Sequence, residues 1–130
     1  MSRPYTHVHL PDVEDVAPAN GFGDRWEARV ARAPLETEQT GVTHFRLQPG
    51  KRSPFAHRHA RAEEVYVVLA GAGRMKLDDQ LIDVRALDAI RVAPDVVRAL
   101  EAGPDGLEFL AFGPHYEGDG ELADDPWVSA

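Results

Sequence analysis

From Trp26 onward the chain consists of short apolar runs, each closed by turn residues, and this rhythm points to a many-stranded β-structure. The runs cover 26–31, 41–47, 64–69, 73–77, 81–84, 89–92, 96–100 and 107–112. Between them stand Gln48-Pro49-Gly50, Ala70-Gly71-Ala72, Asp78-Asp79, Ala93-Pro94-Asp95 and Gly103-Pro104-Asp105-Gly106, residue types suited to tight reversals. Short strands at such even spacing predict a sandwich or barrel. A length of 130 residues suits one domain. The expected layout is an irregular arm over 1–24, an all-β domain over 25–115 and an acidic tail over 116–130. Pro4, Pro11 and Pro18 interrupt the arm and leave room for one helical turn near 13–17. The tail, with Gly118-Asp119-Gly120 and Trp127, reads as a surface extension pinned by the tryptophan.

Charge and composition narrow the partners. A formal net charge of -8 argues against a nucleic-acid groove, which needs clustered Lys and Arg. No apolar run approaches membrane-spanning length, and the first residues lack the apolar core of a signal peptide, so a cytoplasmic protein is expected. Cysteine is absent, which restricts any metal to His nitrogen and carboxylate oxygen. The stretch Val65-Tyr66-Val67-Val68-Leu69 is apolar on both alternating faces. Such a strand is covered on one side by the core and on the other by a second layer or by the second subunit of a homodimer.

Chemistry concentrates between Gly50 and Gly71. His57 and His59 are two apart, so on extended backbone their imidazoles leave the same face and converge. Ala60-Arg61-Ala62 then turns the chain, and Glu64 opens the next strand, where its carboxylate can reach the same point. Two imidazoles and one carboxylate with open positions suit Fe(II) and also accommodate Mn, Ni, Cu or Zn.

This segment resembles the first motif of the cupins: Gly, a gap, His-x-His, four residues, Glu, six residues, Gly, here Gly50, His57, His59, Glu64 and Gly71. Gly50 lies one residue further from His57 than is usual. The second cupin motif is matched less well over 87–100, where the strand and the Pro94 turn are present but Leu87 and Asp95 replace glycines and Arg98 stands in place of the fourth ligand, a histidine. The resemblance covers about 41–113 and implies a single-domain jelly-roll β-barrel. It also implies a divalent transition metal on His57, His59 and Glu64, and a small-molecule ligand. Dioxygenases, isomerases and decarboxylases all occur among proteins of this kind, as do ligand-binding or sensing modules without catalysis.

Arg98 opens two alternatives. Arginine keeps its proton in proteins and cannot ligate a metal, but its fork of donors can clamp a carboxylate or phosphate of a small anionic substrate. Alternatively it pairs with Glu64 as an interior ion pair in a metal-free cup. Tyr66 shares a face with Glu64 and is expected to line the ligand site beside Arg98. On 42–47, Thr43, Phe45 and Leu47 form the apolar face, which directs His44 and Arg46 away from the core. His115 lies in a loop and His7 and His9 in a proline-flanked arm, so solvated side chains are expected there.

Overall fold

The computed structural model describes residues 3–130. Eight strands make up the body: β1 Trp26–Val30, β2 Thr40–Leu47, β3 Ala56–His59, β4 Glu64–Leu77, β5 Gln80–Arg85, β6 Ala89–Val92, β7 Arg98–Pro114 and β8 Gly120–Ala123. All pairings are antiparallel. The order β1-β2-β7-β3-β8 runs along one path, and β4 joins β7 while also pairing with β5 and β6. A single helical turn, α1, spans Arg32–Leu35. No helix among the described residues is long and apolar enough to cross a membrane.

Two strands are longer than the apolar runs predicted. The segments 64–69 and 73–77 are one strand, β4, and 96–100 and 107–112 fall largely within β7. Ala70-Gly71-Ala72 and Gly103–Gly106 therefore do not reverse the chain. They form the corner at which β4 and β7 bend together, with register shifts between Val68 and Ala70 and between Gly71 and Gly73. The glycines are needed here because the two backbones almost touch. A Cβ on Gly71, whose φ is 79°, would strike the Gly106 carbonyl oxygen, and one on Gly73 would strike that of Glu101. Asp78-Asp79 does reverse the chain, joining Leu77 to its register partner Gln80.

The arm also differs from expectation. Its helical turns are 3-10 turns at Leu10–Asp12 and Pro18–Asn20, each with proline near its start, and not at 13–17. Between them Asp15 bridges to Arg29, and its carboxylate accepts the amides of Ala17 at 3.0 Å and Ala28 at 2.9 Å. Val13 and Ala17 are thereby buried against the barrel. The C-terminal segment contributes β8, paired with β3 from Ala56↔Ala123 to His59↔Gly120. Beyond it Lys76 binds Asp125 at 2.7 Å, and Arg52 stacks over the Trp127 ring at 4.3 Å.

Trp26, Val68, Met75, Leu100 and Phe109 are buried at the centre. Aromatic rings chain through this core, with Trp26 to Phe45 at 4.6 Å and Phe45 stacked on Phe109 at 4.9 Å. They wall a cavity of about 190 Å³ whose other end is polar.

Candidate metal centre

β3 and the start of β4 supply the polar end. On β3 the two-residue spacing brings His57 and His59 to one side, with ring centroids 5.1 Å apart. Glu64, the first residue of β4, points its Oε1 at both: 3.4 Å from His57 Nε2 and 3.3 Å from His59 Nε2. Among the described residues this is the one group of three His or acidic side chains that could share a metal ion. His7, His9 and His115 are exposed and lie outside it.

Arg98 opens β7 directly opposite His57 in register. Its side chain is fully buried and ends on the same oxygen, with Nη1 donating to Glu64 Oε1 at 3.1 Å. Nη2 donates to the carbonyls of Ala93 at 2.8 Å and Pro94 at 3.4 Å, which leaves Nε as the one donor without a partner. The Tyr66 hydroxyl also donates to Glu64 Oε1, at 2.9 Å.

Tyr66 and Arg98 donate to Glu64 Oε1 at 2.9 and 3.1 Å, while the two imidazole nitrogens stand further from that oxygen, at 3.3–3.4 Å. His59 Nε2 is buried and lacks a hydrogen-bond partner. Two donors each about 2.1 Å from a common ion stand roughly 3.0–3.4 Å apart at right or tetrahedral angles, which the histidine-to-Glu64 separations match. The donor set and the orphaned nitrogen therefore fit a divalent transition metal.

The carboxylates are kept ionised. Burial pushes Glu64 up, but the hydrogen bond and charge of His57, the Tyr66 hydroxyl and the charge of His59 outweigh it, holding the group at about 2 against an ordinary 4.5. Burial, and after it the charge of Glu64, raises Tyr66 well above 10.0. A second acid, Asp119, lies just before β8. Its Oδ2 is 3.2 Å from His59 Nδ1, and its two oxygens accept the amides of Arg61 at 2.8 Å and Ala62 at 3.0 Å. Burial raises this group too, but those two amides and the charge of His59 prevail and hold it below 3.8. In the neutral ring with Nδ1 donating to Asp119, the lone pair of His59 Nε2 faces the site.

Sequence reasoning located His57, His59 and Glu64 and the shared face of Tyr66. Asp119 was missed, since only the pairing of β8 with β3 brings it near. On β2, Thr43 and Phe45 line the cavity while His44 does not. His44 is nevertheless buried, with Nε2 2.6 Å from Glu108 Oε2, and Arg46 is exposed.

Eight antiparallel strands with a histidine pair and a glutamate inside the barrel define a class of small β-barrel proteins. The cupin domain profile matches residues 43–112, and the chain belongs to the cupin family. Solved structures agree in fold. A cupin protein from Bacteroides fragilis is similar over 99% of this chain and 97% of its own, with 23% identity and a TM-score of 0.71. The polyketide cyclase RemF from Streptomyces resistomycificus matches over 98% and 91%, with 21% identity and a TM-score of 0.72. A sugar phosphate isomerase from Silicibacter pomeroyi matches over 92% and 83%, with 19% identity and a TM-score of 0.73. No curated protein sequence matches the chain at a significant level.

Proposed function

We propose that the protein is a metal-binding cupin that takes a small organic molecule into its barrel and acts on it by dioxygenase, isomerase or decarboxylase chemistry. One observation carries this: two histidine nitrogens stand 3.3–3.4 Å from Glu64 Oε1, and His57 and Glu64 form the polar end of a cavity whose opposite walls are the rings of Trp26, Phe45, Phe55 and Phe109. A cavity of about 190 Å³ suits a molecule below drug size. That fold neighbours include a cyclase and an isomerase accords with an enzyme without choosing the reaction.

His57, His59 and Glu64 would hold the ion, which when bound supplies a Lewis acid that polarises an oxygen of the ligand. The protein's own groups set the surroundings. Asp119 orients His59, and Arg98 fixes the Glu64 carboxylate and lines the ligand cavity. Tyr66, kept protonated, presents a hydroxyl at the same wall. The aromatic rings exclude water from the apolar part of the bound molecule.

A second reading rests on the Arg98–Glu64 ion pair at 3.1 Å: a metal-free cup that binds a ligand without catalysis. Plasma mass spectrometry of protein purified without tag or chelator, beside the His57→Ala/His59→Ala variant, separates the two. Near-stoichiometric Fe, Mn, Ni, Cu or Zn that disappears in the variant supports the metal centre. No metal, and none taken up on addition, supports the cup.

A further inference from the structure

The metal centre borders a second cavity, of about 160 Å³, that meets the aromatic one at Thr43, Glu64 and Ala111. His59 lines this second cavity and not the first. So does Arg32, the first residue of α1. Among the described residues the guanidinium of Arg32 makes no hydrogen bond and no ion pair, although its Nε is buried. Its stem packs over Gly41, where a Cβ would lie 3.8 Å from Arg32 Cδ.

The charges around this cavity do not balance. Glu64 is the one acid in its lining, and that carboxylate already receives Arg98 and Tyr66. Among the described residues Arg32 is thus the arginine of the site whose terminal nitrogens are left over, because both terminal nitrogens of Arg98 are spent within the protein. In a chain of net charge -8, an anion is drawn to the barrel only by a local cation of this kind. Val30, Val42, Ala111 and Phe112 make much of the remaining wall apolar, and His115 and Thr43 also line it.

Building on the metal-centre reading, we infer that Arg32 is the anchor for the anionic end of the ligand, and that this ligand is a small organic carboxylate entering beside His59. One guanidinium matches one carboxylate through paired N–H donors. A phosphate would call for further cations, and the cavity has no second arginine or lysine. The apolar walls accept a short hydrocarbon body.

Isobutyrate and its neutral isostere isobutyramide test this by protein-observed NMR on chelator-treated protein, wild type and Arg32→Gln, with Arg32→Lys as the charge-retaining control. Isobutyrate should bind saturably, shifting the Arg32 Nε–H and the His59 amide, while isobutyramide binds about tenfold more weakly. Arg32→Gln should lose that tenfold preference, Arg32→Lys should keep part of it, and a wild-type-like amide spectrum verifies that each variant is folded. Equal affinity of wild type and Arg32→Gln for isobutyrate, or no saturable binding by wild type, overturns the inference. The metal content of Arg32→Gln is read separately: unchanged metal with unchanged anion binding refutes the anchor and leaves the metal centre standing. Anion binding that depends on Arg32 in a protein taking up no metal refutes only the metal centre.

Discussion

Arg98 and His57 are register partners across β7 and β3, and both side chains end at one atom, Glu64 Oε1, from 3.1 and 3.4 Å. Position 98 is therefore where a fourth protein ligand would sit, and a permanent cation occupies it. A guanidinium beside the donors opposes a divalent ion while supporting the buried carboxylate, so it trades metal affinity for stability of the empty barrel.

Replacing that cation separates the two effects. Arg98→Ala should destabilise the metal-free protein by about 3 kcal/mol, because a buried carboxylate loses its charged partner. The same variant should bind zinc at least as tightly as wild type, and Arg98→His more tightly still, by supplying a nitrogen ligand. Urea unfolding and competition with a chelator measure these quantities. Weaker zinc binding by Arg98→Ala would show that the arginine serves the metal and does not oppose it.

Asp119→Asn should lower metal affinity about 10- to 100-fold through His59. The asparagine can still accept one of the amides of Arg61 and Ala62, so the unfolding temperature should fall much less than on deletion of the side chain. Cobalt absorption titrated against protein reads the affinity, and a thermal melt reads the fold. Equal affinity in the two proteins would mean that the 3.2 Å contact with His59 does not orient the ring.

Acid should loosen the C-terminal segment. The hydrogen bond from Lys76, the amide of Trp127 and the lysine's charge together overcome burial and hold Asp125 below 3.8. A folded-state pKa below the unfolded one contributes stability that is fully present above pH 3.8 and is lost as pH falls through the depressed value. Asp125→Asn should therefore show a shallower loss of urea stability at the acid end. Parallel curves for the two proteins would assign the acid sensitivity elsewhere.

Leu87 has a φ of 73° and is 83% exposed. A leucine in the left-handed region is strained by roughly 1 kcal/mol, and here it buries nothing in return. Leu87→Gly should raise stability by up to about 1 kcal/mol, whereas Gly71→Ala, with φ 79° and a carbonyl in the way, should lower it by at least about 2 kcal/mol. Chemical denaturation of both variants checks the opposite signs.

The divide between what was legible and what was not follows distance along the chain. Leu87 stands where the second cupin motif carries glycine, and the backbone kept the glycine conformation although the residue changed. At 70–72 and 103–106 turn residues announced reversals, yet the structure uses them for a shared bend. Glycine and proline mark a departure from straight strand but not its direction, and the continuous pairing of β4 with β7 decided that.

His57, His59 and Glu64 could be read from one short stretch because side chains alternate along a strand, so a two-residue step already fixes a common face. The barrel class followed equally from local signals, the short apolar runs and their spacing. Asp119 and Arg32 reach the same centre from the two ends of the chain, one through the pairing of β8 with β3 and the other from the turn between β1 and β2. No local periodicity encodes such proximity, since it depends on which strands become neighbours when the sheet curls. The sequence by itself determined the donors and the fold that carries them. Only the tertiary structure decided which charges surround those donors, and hence what they can bind.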